Sequence, residues 1–563
     1  MNLKMKKNIL IAAFVVALPV TMSGQSAFDA YQLNQSNMRG TARFMSMGGA
    51  FTALGGDLST LNQNPGGIGV YRSSEIGVTV DFDFQKSVTT DPGHPNNVNS
   101  QTKVDCNNFG YVGAVTTGSD VMPYFNWGAS YSRVQSFNRR YRGSMDLPSS
   151  LSDYIAANTT LIDGGGYTPA ELDGYTAGYN PYQDSYAPWL SILGYNAYAI
   201  NPTQPNNPKC TAYTGLMGKG GSGVGYFDIL EQGYVDEYSI NFGGNFVNTV
   251  YWGLGFGITD INYTQSAQWA EDLYGVQIPE TGYDASGNPV ASGTVTGDGV
   301  IDIDSWKHIG GTGFNFKFGV IARPINELRI GAAIHTPTYY RLTQQTYTSM
   351  GYNFPATGYE GWTETDEGYV QYTDFKMNSP WRFMAGVAGV IGGKGILSVD
   401  YEYKAFGDMS ISDRNSRSFT DINDDVKRYF QATHEIRVGA EYRLTDNVSV
   451  RAGFAYETTP VKDGINEGEE VIYIDGPYGT DTTPSYNVAD RTIYGSCGIG
   501  YHYKNFYLDA AYVHRNHKST FHAFDTYDAN YLRADLSPEY VATPVSDVSN
   551  YSNNLVLTLG FRF

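Results

Sequence analysis

The chain has 563 residues, of which 17% are charged, 14% are aromatic and 65 are glycine, and its formal net charge is −19. Soluble chains carry about 25% charged residues, so this composition argues against a string of ordinary soluble domains and is typical of a β-rich protein. The negative charge disfavours a nucleic-acid partner, and the lack of any apolar run of about 18 residues beyond the N-terminus excludes a helical membrane bundle.

Residues 1–24 are predicted to be an export signal. Three lysines among the first seven residues precede an apolar core over 9–20, which is too short to span a bilayer, and small residues follow before Gln25. No cysteine follows the core, so we expect no lipoprotein anchor. An exported, acidic, aromatic and β-rich chain is either a secreted β protein or an outer-membrane barrel.

The next segment, 25–74, is rich in small residues and has short helix-like stretches that end at glycine. Such a sequence can fold compactly in a confined space, and the alternative is an ordinary N-terminal extension. The positions that stand out are Met47, Gly48, Gly49, Ala50, Ala53, Leu54, Asp57, Asn64, Pro65, Gly66, Gly67 and Ile68.

Strands with alternating apolar and polar residues follow this segment. In the last strand, Leu555, Leu557 and Leu559 lie on one face, while Thr558 and Arg562 lie on the other. Transmembrane barrel strands alternate in this way, with apolar residues toward lipid and polar residues toward the lumen. Strands of a soluble sandwich also alternate, but aromatic residues near the strand ends favour a membrane girdle.

The pattern predicts an all-β fold, a 14-stranded antiparallel transmembrane β-barrel over 75–563 in which short turns alternate with long external loops. This alternation places the C-terminus in the periplasm. One predicted strand is unusually long and contains Pro380, and we interpret it as a single bent strand. The predicted strands are 75–88, 106–118, 122–142, 234–247, 249–268, 308–323, 326–346, 366–392, 395–408, 430–445, 447–459, 489–503, 505–520 and 549–563.

The third predicted strand alternates regularly as far as Ser132. Beyond it, Arg133 falls on the lipid face and Val134 on the luminal face. A one-residue bulge would restore the register and kink the strand. The alternative is that the apolar band simply ends there.

The longest predicted loop, 143–233, contains its own apolar segments, one of which holds Trp189, Leu190, Ile192 and Leu193. Apolar side chains exposed on a water-facing loop would form a capture groove for a ligand. The alternative is that they form the small core of the loop, and the two possibilities are compatible.

Charges of both signs lie on the predicted luminal faces. They favour an inner wall of salt bridges that holds the N-terminal segment, although a carboxylate substrate could use one of the arginines. These residues are Asp400, Glu402, Lys404, Glu435, Arg437, Glu441, Arg443 and Arg451.

The sequence has three cysteines. Cys106 is predicted at the outer end of the second strand and Cys210 in the long loop, and export permits a disulfide between them. Cys497 is predicted to face lipid as a free thiol.

No metal site, cofactor or catalytic residue is predicted. The eight histidines are scattered, and no Gly-x-Ser-x-Gly motif occurs in the context that a hydrolase needs. Two groups could in principle bind a zinc ion, a haem iron or calcium, but neither has a metal-binding signature. They are His514, His517 and His522 beside Asp525, and Asp298, Asp302 and Asp304.

The segment 25–74 resembles the N-terminal hatch of the FadL/TodX family of outer-membrane transporters, whose pattern is MGGA…AL…D…NPAGL. The matching positions are those that stand out above, with Gly66-Gly67-Ile68 in place of Ala-Gly-Leu. Residues 238–257 and 380–403 resemble a branch often labelled hemin receptors. The resemblance implies that 25–74 plugs the barrel. It also implies that an apolar molecule docks near the external loops and leaves sideways through a wall opening at Ser132, Arg133 and Val134.

Three functional hypotheses follow. The first is passive uptake of hydrophobic small molecules such as long-chain fatty acids across the outer membrane of a Gram-negative bacterium. The second is a surface receptor that binds hemin, and the third is a plugged barrel that docks into a secretion assembly. We expect a monomer surrounded by outer-membrane lipid.

Overall fold

The computed structural model describes residues 26–91, 93–160, 166–174, 178–218, 220–283, 289–462, 480–532, 537 and 539–563. The predicted signal peptide, 1–24, lies outside the described residues. Among the described residues, no helix is both long enough and apolar enough to cross a bilayer.

The wall is built from seventeen strands, which we number in chain order. They are β1 (Glu75–Thr90), β2 (Asn97–Thr116), β3 (Tyr124–Asp146), β4 (Ser222–Phe246), β5 (Val250–Tyr283), β6 (Pro289–Ile325), β7 (Leu328–His335), β8 (Tyr339–Phe354), β9 (Gln371–Asn378), β10 (Arg382–Ile391), β11 (Gly395–Lys404), β12 (Ser410–Asp413), β13 (Thr433–Arg443), β14 (Val448–Glu457), β15 (Tyr486–Tyr503), β16 (Phe506–His522) and β17 (Val545–Arg562). Shorter strands outside the wall are Asn201–Pro202, Tyr213–Thr214, Tyr359–Glu364, Tyr527–Asp528 and Tyr540–Val541.

The sheet closes because β1 pairs with β17, from Glu75↔Arg562 to Thr90↔Asp547. All of the pairings in the wall are antiparallel, and the barrel has 14 strand positions, so the predicted fold class is confirmed. Three positions are each filled by two collinear strands: β7 with β8, β9 with β10, and β11 with β12.

The interruptions between these collinear strands have a physical cause. Pro337 lies between β7 and β8, and Pro380 lies between β9 and β10, and proline has no N–H to give to a sheet. A short 3₁₀ helix, Phe406–Asp408, separates β11 from β12. The sequence predicts only the bend at Pro380. It misses the other two interruptions, because a single break does not disturb the two-residue period.

The two faces of the wall differ as the alternation predicts. Leu559 and Phe316 on the outer face are 54% and 52% exposed, while Asp81 and Thr558 on the inner face are fully buried. A continuous apolar outer surface around a closed barrel is suited to contact with lipid, because a closed barrel pairs most of its backbone groups between neighbouring strands. This is the architecture of a bacterial outer-membrane barrel.

Short turns lie at one end of the barrel, with the C-terminal Phe563 paired to Ser74. The longer connections lie at the other end, which we take as the external end. There β5 and β6 are 34 and 37 residues long and continue their pairing far beyond the ends that the sequence predicts. Asp298, Asp302 and Asp304 therefore lie on β6 and not in a loop.

An external domain covers the outer end. Its helices are α4 (Leu151–Thr159), α5 (Pro169–Leu172), α6 (Pro181–Asp184) and α7 (Trp189–Asn196). The capture groove predicted at Trp189, Leu190, Ile192 and Leu193 is wrong, because these side chains are between 0% and 4% exposed and belong to an apolar core shared with α4 and the ends of β5 and β6. A further helix, α8 (Thr420–Tyr429), follows β12.

Residues 26–74 pack against the inner face of the wall. They form α1 (Ala27–Asn34), α2 (Ala42–Ser46), α3 (Thr60–Gln63) and a 3₁₀ helix, Pro65–Val70. Their side chains are mostly buried, and they contact strands from opposite parts of the wall.

Candidate functional site

Glycines in the N-terminal segment bring its backbone into contact with the wall. Gly48 has φ +63, and a Cβ added there would lie 2.8 Å from the Phe454 nitrogen of β14. A Cβ added at Gly66 would lie 2.8 Å from the carbonyl carbon of Gly319 on β6. Side chains at these positions would push the segment away from two strands on different sides of the barrel.

Polar side chains of the same motif hold the segment's own fold. The Asn64 amide donates to the Thr52 carbonyl at 2.6 Å, and its oxygen accepts from the Gly66 N–H. Asp57 accepts a hydrogen bond from the Thr41 hydroxyl at 2.8 Å. The motif residues Met47, Gly49, Ala50, Pro65 and Gly67 are buried beside them. Their role as a plug stays a prediction.

Arg39 is the most connected side chain between the segment and the wall. Its guanidinium donates to Asp81 at 3.0 Å, to Asp83 at 2.9 Å and to Asn107 at 2.8 Å, and it lies 3.5 Å from Asp105. Its side chain is only 4% exposed. Arg39 thus ties the N-terminal segment to β1 and β2 through a buried ionic cluster.

The backbone pairing between β2 and β3 covers only part of their length. Their pairing runs from Thr116↔Tyr124 to Asn108↔Ser132 and then stops. Beyond this point, in the described part of the chain, residues 97–106 of β2 pair only with β1, and the continuation of β3 pairs only with β4. Two strand edges that have no backbone partner among the described residues therefore face each other in the outer half of the wall, and we call the stretch between them the slit.

A bulge in β3 lies at the lower end of the slit. The register between β3 and β4 shifts between Arg133 and Gln135, at the position where the sequence predicts a one-residue bulge. The carbonyl of the extra residue, Val134, accepts a hydrogen bond from the Asn37 N–H at 3.1 Å. The backbone group released by the bulge is thus paired with the N-terminal segment.

Polar side chains bridge the slit at three heights. At the bottom, Asp105 pairs with Arg133 at 2.6 Å and accepts from the Ser136 hydroxyl. Lys103 donates to the Ser136 hydroxyl at 3.2 Å. At the external end, the His94 ring contacts Asp146 at 3.2 Å and Ser144 at 3.1 Å.

A cavity of about 70 Å³ lies on the luminal side of the slit. It is enclosed by the N-terminal segment, by Arg133 and Val134 of β3, and by Arg382 and Arg437 from the opposite wall. Arg382 donates through Nε to Glu402 at 2.6 Å, while Arg437 pairs with Glu402 and Glu435. The Nη1 group of Arg437 is buried and has no hydrogen-bond partner among the residues that the structure describes.

The other luminal charges form the paired network that the sequence favours. Lys404 lies 3.1 Å from Glu435 and 2.8 Å from Glu457. Glu441 joins Arg43 of the N-terminal segment to Arg451 of β14, and Asp400 accepts from the Thr52 N–H at 2.6 Å. Arg443 is the exception, because it is exposed near the short turns.

The predicted disulfide is wrong, because Cys106 and Cys210 are both free thiols. Cys106 points outward from β2, whereas Cys210 is buried in the external domain and donates to the Ala212 carbonyl. Cys497 is also free and exposed on the outer face.

The three neighbouring histidines do not converge on one site. His514 lies on the outer face beside Asn553, whereas His517 is buried in the lumen and contacts the Thr492 hydroxyl at 2.8 Å. His522 stacks on Tyr486. Within the described ranges, no three His, Cys, Asp or Glu side chains are placed to hold one metal ion.

Sequence reasoning locates the bulge but misses the residues that complete the site. Asn37 and Arg39 lie in the N-terminal segment. The partner of Asn37, Val134, is 97 positions away along the chain, and the partners of Arg39 are 42 or more positions away. Arg382 lies in the segment 380–403, and the sequence alone does not indicate that its side chain faces a luminal cavity. The signal that was available is the pair Arg39 and Arg43, in the middle of a segment with few charged residues.

Several solved structures are similar to this chain. The chain is similar to a Pseudomonas aeruginosa FadL homologue (12% identity, 94% of this chain and 99% of the other, TM-score 0.49). It is also similar to the Pseudomonas putida toluene transporter TodX (11%, 94% and 100%, 0.42) and the Ralstonia pickettii toluene transporter TbuX (12%, 94% and 99%, 0.40). No protein-family model and no curated protein matches the sequence.

Proposed function

We propose that this protein is a passive outer-membrane channel for hydrophobic small molecules, with an exit through the side of the barrel. The observation that carries the proposal is the slit between β2 and β3, which borders a luminal cavity lined by the N-terminal segment. The FadL-type resemblance of residues 47–68 agrees with it. We assign no catalytic step, and we propose that a single chain suffices because the lumen lies within one closed barrel.

The physical argument concerns the unpaired edges. A backbone group that faces lipid without a partner costs several kcal/mol, so a gap in a membrane barrel needs something to satisfy it. Here the Asn37 N–H pairs with the Val134 carbonyl, and Ser136, Lys103 and Asp105 bridge the two strands. The first contact joins two backbones and the others involve side chains, and none of them belongs to the strand pairing of the wall, so all of them can separate without unfolding it. An apolar molecule could then pass from the lumen into the bilayer without crossing the polar outer surface.

We propose further that the transported molecule is an amphipathic carboxylate, such as a long-chain fatty acid. The cavity beside the slit presents Arg382 and Arg437, and the buried Nη1 of Arg437 has a free donor. A guanidinium matches a carboxylate better than any neutral head group does. A neutral hydrocarbon would leave this donor unpaired, which costs about 1–3 kcal/mol for a buried polar group.

Deletion of Val134 tests the side exit. The deletion removes the extra residue of the bulge while keeping Arg133 with Asp105 and Asp236, so the β2–β3 pairing can continue past Ser132. We expect uptake of a fluorescent fatty acid by intact cells to fall to the level of cells without the protein. Heat-modifiable migration in detergent gels reports whether the barrel has folded.

The matched control is Val134→Ala, which keeps the residue count and hence the bulge. We expect this variant to retain uptake. Full uptake by a correctly folded Val134 deletion would show that the bulge is not part of the exit and would remove the main support for the proposal.

A further inference from the structure

Basic side chains gather on the outer face of the wall, just beyond the external edge of the apolar band. On β6 this band includes Phe316 and Phe314, which are 52% and 45% exposed. Phe314 is the sheet partner of Tyr339, the first residue of β8, and their ring centroids are 5.4 Å apart. Aromatic rings on the outer face mark the boundary between hydrocarbon and headgroups. Arg341 lies two positions farther along β8 on the same face, so it is at headgroup level.

The basic side chains are neighbours across three strands. Arg341 is the direct sheet partner of Lys376 on β9, and Lys376 is the direct partner of Ser412 on β12. Side chains that are directly opposed on one face of a sheet have Cβ atoms about 4.5–5.5 Å apart. Arg414 follows β12 and reaches the same face, where it lies 3.5 Å from Asp374 of β9. We call Arg341, Lys376 and Arg414 the basic patch.

The protein does not balance the charges of the basic patch. Asp374, which pairs with Arg414, also accepts a hydrogen bond from the Thr343 hydroxyl at 2.7 Å. The Lys376 ammonium donates to the Ser416 hydroxyl at 2.7 Å. In the described part of the chain, Arg341 and Lys376 form no ion pair with a carboxylate. Like charges directly opposite each other destabilise a sheet, so an anion bound between them would be stabilising.

The surroundings of the basic patch indicate which anion fits. Arginine and lysine side chains are the usual partners of phosphate groups in proteins. Directly below the patch, the outer face presents Phe314, Tyr339 and, on β10, Phe383, which is 43% exposed. One molecule with a phosphate group and an acyl chain can therefore contact the cations and the rings together, whereas a free phosphate ion can contact the cations only.

We propose that the basic patch binds the phosphate headgroup of a lipid in the external leaflet, with the acyl chain of this lipid on Phe314, Tyr339 and Phe383. The site lies on the outside of β8, β9 and β12, whereas the slit lies between β2 and β3. It does not depend on which molecule the channel transports.

Native mass spectrometry of the purified protein in a non-ionic detergent tests the proposal. The protein is titrated with dipalmitoyl phosphatidic acid, and separately with dipalmitoylglycerol, which has the same acyl chains and no phosphate. We expect the parent protein to bind the phosphate lipid at least about tenfold more tightly. The variant Arg341→Gln/Lys376→Gln should bind it about 30-fold more weakly than the parent, because each cation at a lipid surface strengthens binding by about fivefold.

The matched control is Lys86→Gln/Arg443→Gln, which removes the same charge from two separate exposed positions. Lys86 lies on the outer face of β1, two positions beyond Phe84, which is 47% exposed. Its sheet partners, Ser100 and Tyr551, are uncharged, so it has no second cation opposite it. Arg443 is exposed near the short turns at the other end of the barrel. This control should bind the phosphate lipid as the parent does.

Two further measurements complete the test. Lys376→Arg keeps the positive charge and should keep the affinity for the phosphate lipid. Inorganic phosphate, added at the concentrations used for the lipid, should not compete with it, because the free ion lacks the acyl contact. Heat-modifiable migration reports whether each variant has folded.

Weaker binding of the phosphate lipid by Arg341→Gln/Lys376→Gln, with the control unchanged, supports the site. Equal affinity of the parent, this variant and the control would overturn it, and so would equal affinity of the parent for the two lipids. Competition by inorganic phosphate at equal concentration would show that the patch takes a free ion and would overturn the lipid assignment. None of these measurements involves uptake, so their failure is distinct from a failure of the side exit.

Discussion

Replacement of Arg39 by methionine should release the N-terminal segment from the wall. Methionine keeps much of the side-chain volume but removes the guanidinium that contacts Asp81, Asp83 and Asp105, all of which are at most 5% exposed. Asp105 keeps its contact with Arg133, whereas Asp81 and Asp83 are left with neutral hydrogen-bond partners only. Removal of one partner from a buried ion pair costs about 3–5 kcal/mol.

This loss of free energy destabilises the state in which the N-terminal segment is seated in the lumen, relative to the state in which it is displaced. If the closed wall is unaffected, about 3–5 kcal/mol shifts the equilibrium between seated and displaced segment by roughly 100- to 4,000-fold. We therefore expect Arg39→Met to admit small polar solutes into liposomes and to make residues near Arg39 accessible to added protease. Heat-modifiable migration should be unchanged.

Two further variants make this reasoning refutable. Arg72→Met is the matched control, because Arg72 is exposed in the same segment and contacts only Asn248 among the side-chain partners found in the described chain. Adding Asp81→Asn and Asp83→Asn to Arg39→Met removes the two buried carboxylate charges that have lost their partner. This triple variant should therefore admit less of the small polar solutes than Arg39→Met alone. If Arg39→Met admitted no more polar solute than Arg72→Met, the ionic cluster around Arg39 would not hold the segment in the barrel.

Three other predictions concern separate parts of the molecule. Gly48→Val should also admit small polar solutes, because the Cβ of the valine would clash with the β14 backbone. Gly118→Val is the control, because Gly118 also has a positive φ but has open space around it. Equal solute entry through both variants would point to backbone strain instead of the clash. Arg437→Met should weaken binding of a fatty acid about 10- to 100-fold while leaving binding of the matching alcohol unchanged, as measured by quenching of a bound fluorescent probe; an equal loss for both would argue against carboxylate recognition. The external domain should lose stability as the pH rises from about 4 to about 6, because burial raises the pKa of Asp153 to about 6, so the unfolded carboxyl releases its proton first. This trend is measured as the temperature at which loop 147–221 becomes sensitive to protease, determined at several pH values. Asp153→Asn should make this temperature less dependent on pH. An unchanged pH dependence in the variant would show that Asp153 is not the cause.

The sequence by itself determined the class of fold. The alternation of apolar and polar residues in strands such as Leu555–Leu559 depends only on the local geometry of the strand and on the uniformly apolar surroundings of its outer face. It can therefore be recognised without knowing which strand is the partner. For the same reason the bulge beside Arg133 could be located, because an extra residue changes which face each following side chain occupies.

The tertiary structure alone decided how these elements combine. The end of β2–β3 pairing at Ser132, the anchoring of Val134 by Asn37 and the seating of Arg39 all join residues that lie far apart in the chain. An apolar stretch such as Trp189–Leu193 has the same sequence pattern whether it faces water or a core, and only its neighbours on α4, β5 and β6 make it buried. Charge pairing is equally non-local, since a single arginine is compatible with any carboxylate until the barrel closes and fixes which ones it can reach.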